Sequence, residues 1–110
     1  MMWPKVTSET KPWTRWWWLG PAVDKNTITS LLREYSKVGL GGVEITSIYG
    51  VKGEESKNIE YLSPKWVEMI EHTIAEADKL SMKVDLPPGS GWRIGGPFIT
   101  EDLGASRILI

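Results

Sequence analysis

Cysteine is absent from the 110 residues, so disulfides, thiolate metal sites and cysteine nucleophiles are all excluded. Histidine is nearly absent too: His72 is the sole one, and no Ser-His-Asp set can be assembled around it. No His/Asp/Glu spacing signals a transition metal. No apolar run approaches the ~18 residues of a membrane span, and no membrane partner is expected. A charge excess is also missing: 13 Lys and Arg against 14 Asp and Glu give a net charge of -1. That argues against a nucleic-acid partner, which would need a basic face. What remains is ordinary for a globular chain: 41% hydrophobic and 25% charged residues, which excludes wholesale disorder. At 12.4 kDa the chain has a one-domain length and is short enough to be part of something larger.

Tryptophan is the exception to this ordinary composition. There are seven Trp but only three Tyr and one Phe. A flat apolar ring stacks on the C–H face of a pyranose, so Trp lines sugar-binding surfaces. Large rings also fill cores, and that is the competing reading for any single Trp. Trp16-Trp17-Trp18 is different, because three consecutive side chains of a strand cannot all point into one core.

Residues 1–13 contain two prolines and mostly polar residues and read as a lead-in segment. They contain no apolar stretch of signal-peptide length, so no export signal is expected and the compartment stays unassigned. At the other end, Arg107-Ile108-Leu109-Ile110 is an apolar, strand-like run without a closing turn. It suggests a chain truncated before its domain ends.

Between these ends the pattern alternates. Thr14–Leu19 (TRWWWL) reads as a short strand closed by Gly20-Pro21. Asp24 caps a helix whose apolar stripe is Ile28, Leu31, Leu32, Tyr35 and Val38, and Gly39 ends it in a left-handed conformation. Val43–Ile48 is a second strand, followed by a long polar loop over 51–62. Ser63-Pro64 starts a second helix with Trp66, Ile70, Thr73, Ile74 and Ala77 on one face, ending near Leu80-Ser81. Met82–Leu86 is a third strand, stopped by Pro87-Pro88-Gly89. A short helix capped by Thr100 runs through Ala105, and a last strand begins near Arg107.

Such alternation means an α/β fold of parallel strands with crossover helices, either an open doubly wound sheet or a (β/α) barrel. No G-x-G-x-x-G or phosphate loop follows the first strand, which weakens the nucleotide-binding reading. Three βα units in about 95 residues match the repeat of an eight-fold barrel of ~250 residues. The expectation is a partial (β/α)8 TIM barrel over residues 14–110: its first three βα units plus the start of a following strand.

Strand parity then nominates residues. With Val43 and Ile45 toward the helices, Glu44 and Thr46 turn into the lumen; with Val84 and Leu86 toward them, Asp85 does the same. A buried carboxylate needs a partner, here Arg15, Arg93, Lys83 or a metal. The alternative for each acid is a structural ion pair or hydrogen bond. The parity of the tryptophan run stays open: either Trp16 and Trp18, or Arg15 and Trp17, face inward. Tyr49 and Trp92 lie just beyond strand ends, on the side where barrel active sites lie. Trp66 belongs to a helical apolar face and reads as core, and His72 as a solvated or helix-packing residue.

Four strings combine into a resemblance: KPWTRWWWLG at 11–20, GLGGVEI at 39–45, YLSPKW at 61–66 and VDLPPGSGWRIGGP at 84–97. In order and spacing they resemble the start of the catalytic barrel in the α-L-rhamnosidase family, glycoside hydrolase family 106. The resemblance implies a carbohydrate substrate, hydrolysis of terminal α-L-rhamnosides with inversion, and calcium assistance, although no calcium ligand set is identifiable in this sequence. Family members are several times longer, often exported, and carry their principal acid and base downstream of the matched region. By position the resemblance makes Glu44 and Asp85 auxiliary acids. It makes Trp16, Trp17, Trp18, Tyr49, Ser90 and Trp92 contributors to a sugar pocket. Arg93 stands where members often have Pro, and Ser81 where Gly is commoner. The expected partner is the remainder of the barrel, and the chain alone is expected to be inactive. The alternatives are a non-catalytic carbohydrate-binding or structural half-barrel, and another sugar-active barrel enzyme such as an epimerase.

Overall fold

The computed structural model describes residues 2–109. Five main elements alternate: β1 (Trp13–Leu19), α1 (Lys25–Lys37), β2 (Gly42–Ile48), α2 (Pro64–Lys79) and β3 (Lys83–Asp85). The strands form one parallel sheet in the order β1-β2-β3, with Arg15 opposite Glu44, Trp17 opposite Thr46, and Glu44 opposite Asp85. Both helices start where the sequence places their caps. The Asp24 carboxylate accepts the Thr27 amide at 2.9 Å, and Ser63 Oγ accepts the Trp66 amide at 3.2 Å. Gly39 takes φ 91° after α1, the left-handed stop expected of it.

The helices cover one face of the sheet. Trp16 and Trp18 of β1 and Val43 and Ile45 of β2 meet Ile28 and Leu32 of α1 and Trp66, Met69, Ile70 and Ala77 of α2 in one buried cluster. Trp16 makes edge-to-face contacts with Trp18 at 5.9 Å and with Tyr35 at 5.5 Å. Trp66 sits in this core and donates from its indole nitrogen to Ser47 Oγ at 2.9 Å. His72 packs the helices together: its Nε2 lies 2.9 Å from Thr29 Oγ1 and 3.1 Å from the Lys25 carbonyl oxygen.

The helical stripes are narrower than the sequence suggests. Leu31, Val38 and Ile74 are exposed, because a two-helix layer on three strands covers only part of each apolar face. Met69 replaces Ile74 in the α2 core. The short helix over 100–105 is a single 3-10 turn, Glu101–Leu103. No strand forms over 104–109, where Ile108 and Leu109 are exposed, and Ile110 lies outside the described residues. A strand needs a neighbour for its backbone groups. β3 offers only three residues, and the Pro87-Pro88 pair that follows removes two donors.

Candidate functional site

β1 and β2 end side by side, and the chain turns away from both in glycine. Gly20 has φ 58°, and a Cβ there would lie 2.1 Å from Asn58 Oδ1. Asn58 belongs to the long loop after β2, which returns to this turn: the Ile59 amide donates to the Gly20 carbonyl at 2.8 Å. A second loop, after β3, is pinned to the same edge. The Gly91 amide donates to the Ser47 carbonyl at 2.8 Å. Gly91 adopts φ 83°, and a Cβ there would lie 2.4 Å from the Gly95 carbonyl oxygen, so only glycine fits.

The loops enclose a cavity of about 600 Å³ at the C-terminal ends of the strands, walled by Tyr49, Asn58, Tyr61, Ser90, Trp92 and Phe98, among others. That volume suits a small organic ligand or sugar ring. The wall is ordered by ring contacts: Tyr61 meets Trp66 edge-on at 5.0 Å and stacks on Phe98 at 6.3 Å. Trp92 and Tyr49 are exposed, whereas Ser90 is buried.

A second cavity of about 240 Å³ lies over the helix-free face, lined by Arg15, Glu44, Thr46 and Trp92 with the loop after β3. Trp92 therefore belongs to both cavities. Arg15 Nε donates to Glu44 Oε1 at 2.7 Å, and Thr46 Oγ1 lies 3.4 Å from the same oxygen. The guanidinium carbon of Arg15 stands 5.3 Å from the ring centroids of both Trp17 and Trp92, and those two indoles meet edge-on at 5.8 Å.

The structure thus settles the parity of the tryptophan run. Arg15 and Trp17 share the open face with Glu44. Trp16 and Trp18, nominated for a sugar pocket, point the other way into the helix-covered core; Trp18 is 1% exposed. Alternation forces this, since a strand buries every second side chain. Of the other nominated residues, Tyr49, Ser90 and Trp92 line the larger cavity, and Trp17 and Glu44 gather beside the smaller one. Asp85 is the in-register neighbour of Glu44 on β3, exposed, with Oδ1 accepting the Leu86 amide at 2.9 Å. Asn58 and Phe98 lacked any signal beyond residence in long loops, and Tyr61, which opens the YLSPKW string, was not nominated for the site. Arg15 was one of several cations that could have answered Glu44. The parallel register that sets it directly opposite Glu44 selects it, and that register is a property of the paired strands.

Among the described residues no three His, Cys, Asp or Glu side chains converge on a point where a metal could sit.

The family model of the α-L-rhamnosidases, glycoside hydrolase family 106, matches residues 5–109. The chain belongs to the α-L-rhamnosidase family. A candidate β-glucuronidase of Formosa agariphila is 23% identical to this family member over 103 residues, covering 93% of the chain and 9% of that protein. The rhamnosidase of Novosphingobium sp. PP1Y is similar in structure, with a TM-score of 0.66 and 24% identity over 84% of the chain and 9% of the rhamnosidase. The three-stranded parallel sheet and its two helices are thus similar to part of a rhamnosidase. The chain spans 9% of the length of each of these proteins.

Proposed function

We propose that this chain supplies the first three βα units of a (β/α)8 barrel in a glycoside hydrolase that releases terminal α-L-rhamnose, and that the cavity at its strand ends forms part of the sugar pocket. The observation that carries this reading is the cavity of about 600 Å³ with Tyr49, Ser90 and Trp92 in its wall, at the strand ends where barrel enzymes bind substrate. Family membership supports the reaction class. In this reading Trp92 offers a ring to the sugar, Ser90 and Tyr49 offer hydroxyls, and Glu44, which lines the adjoining smaller cavity, acts as an auxiliary acid with its in-register neighbour Asp85.

The principal acid and base belong elsewhere in the protein. Inversion needs two carboxyl groups ~6.5–9.5 Å apart with room for a water between them. Glu44 and Asp85 are in-register residues of adjacent strands, and in this reading they serve as auxiliary acids rather than as that pair. One of the two carboxylates is also engaged by Arg15. Calcium assistance rests on the family resemblance alone, with no ligand set identified in the sequence.

The test is turnover by the intact protein that carries this chain. An aryl α-L-rhamnoside should be hydrolysed, and an aryl β-glucuronide, the substrate class named for one relative, should be hydrolysed far more slowly. Preference for the glucuronide would reassign the substrate. Sugar binding without turnover of any aryl glycoside would support the non-catalytic carbohydrate-binding reading instead.

A further inference from the structure

Arg15 sits where three elements of the open face meet. It lies on β1, its Nε donates to Glu44 of β2 at 2.7 Å, and its guanidinium carbon is 5.3 Å from the ring of Trp92 on the loop after β3. Trp17, two residues along β1, supports the same guanidinium at 5.3 Å. Glu44 Oε1 receives both Arg15 Nε and Thr46 Oγ1, and no hydrogen bond reaches Glu44 Oε2 among the described residues. Trp92 is otherwise exposed and has Trp17 as its one close ring neighbour among the described residues.

We propose that Arg15 is a positioning residue for the sugar pocket. Its planar guanidinium fixes the Trp92 ring, which walls both cavities, and at the same time holds the Glu44 carboxylate with Oε2 available to a sugar hydroxyl. This inference rests on the reading of the larger cavity as a sugar pocket, joined through Trp92 to the smaller cavity that Arg15 and Glu44 line. The chemistry specifies arginine: a guanidinium presents a flat face to an indole while donating in its own plane to a carboxylate, and a lysine ammonium cannot do both. An ion pair serving stability alone would not need the two indoles. The paired side chains are also partly exposed, at 41% and 32% of their surface, and such pairs stabilise folds little.

The inference predicts a division of labour that variants of the intact protein can separate. Arg15→Lys keeps a cation beside Glu44 but loses the guanidinium contact with the Trp92 ring, 5.3 Å from its centroid. It should raise KM for an aryl α-L-rhamnoside by ~10-fold while kcat stays near wild type, as expected when ground-state binding alone is weakened. Arg15→Met loses both contacts and should lower kcat as well. The circular-dichroism exciton couplet of the Trp17–Trp92 pair, isolated by difference against Trp92→Phe, should collapse in both Arg15 variants. An unchanged couplet and unchanged KM in Arg15→Lys would overturn the proposal, as would a lowered melting temperature with normal KM and kcat in the folded fraction. If Arg15→Met does not fold, Arg15→Lys carries the test through its KM and its couplet. Failure of the wild-type protein to bind or cleave any rhamnoside would sink the sugar-pocket reading itself, and is seen without any variant.

Discussion

At the scale of single residues, β1 and β2 are governed by which side of the sheet each side chain occupies. Glu44 is the clearest case, because it can be read either as a contact to substrate or as half of an ion pair. The observed Arg15–Glu44 contact serves both readings, so a substitution must separate them. In the intact protein Glu44→Gln should lower kcat/KM by ~10²-fold, the scale of one lost polar contact in a transition state, and leave the melting temperature nearly unchanged. If the pair were buried and structural, breaking it would cost ~3–5 kcal/mol, and activity would fall only with folding. Ser81 offers a stability test. It takes φ 53° where α2 gives way to β3. A left-handed residue with a Cβ costs ~1–2 kcal/mol, and the backbone entropy of glycine offsets ~0.5–1 kcal/mol of the relief. Ser81→Gly should therefore stabilise by ~0.5–1 kcal/mol in denaturant unfolding, and a loss of stability would contradict the strain. Residue-level reading of the sequence placed Glu44 on the helix-free face, Trp66 in the core and Gly39 at a helix end, because alternation and capping are local. It left Trp16, Trp17 and Trp18 undivided, because the phase of a single strand is set by its neighbours.

The elements were legible from their ends. Asp24 and Ser63-Pro64 start α1 and α2 where the capping pattern puts them, and Ser63→Ala should cost ~1 kcal/mol of stability in denaturant unfolding. Contacts between elements were not legible, since they join residues far apart in sequence. Glu68 of α2 reaches Lys25 of α1 at 2.7 Å and Lys65 of its own helix at 2.9 Å. Hydrogen bonds from these two ammonium groups lower the Glu68 carboxyl from 4.5 to about 2. A carboxyl whose folded pKa lies below its unfolded value stabilises the fold above the unfolded pKa. That contribution is fully present above pH 4.5 and is lost as the pH falls toward about 2. Unfolding followed across this window should show the loss, and Glu68→Gln should flatten that part of the profile. An unchanged profile in the variant would show that the α1–α2 contact does not depend on this pair. The strand expected near Arg107 fails for the same non-local reason: an apolar, β-branched run becomes a strand only beside a partner.

The molecule as a whole is a layer rather than a closed globule. Its radius of gyration is 17.1 Å, against about 13 Å for a compact domain of this length. One face of the sheet lies under two helices. The other exposes Trp13, Trp17 and Leu19 along β1, and Phe98, Ile99 and Leu103 stand exposed beyond it. Exposed apolar surface on this scale invites association, so the 110-residue chain expressed alone should form oligomers or melt broadly, as seen by size-exclusion chromatography and calorimetry. A sharp two-state melt of a monomer would contradict this. What the sequence could reveal at this scale was the βαβ alternation and the family strings. The cavity itself required the return of the 51–62 and 86–99 loops onto one sheet edge, through backbone contacts to Gly20 and Ser47 that no local pattern encodes. The central claim is that this edge binds a sugar against Trp92. Calorimetric titration of the intact protein with L-rhamnose, compared between wild type and Trp92→Ala, tests it most directly. The account predicts measurable wild-type binding weakened ~10-fold or more in the variant, about 1.4 kcal/mol; equal affinity in the two proteins, both folded, would contradict it.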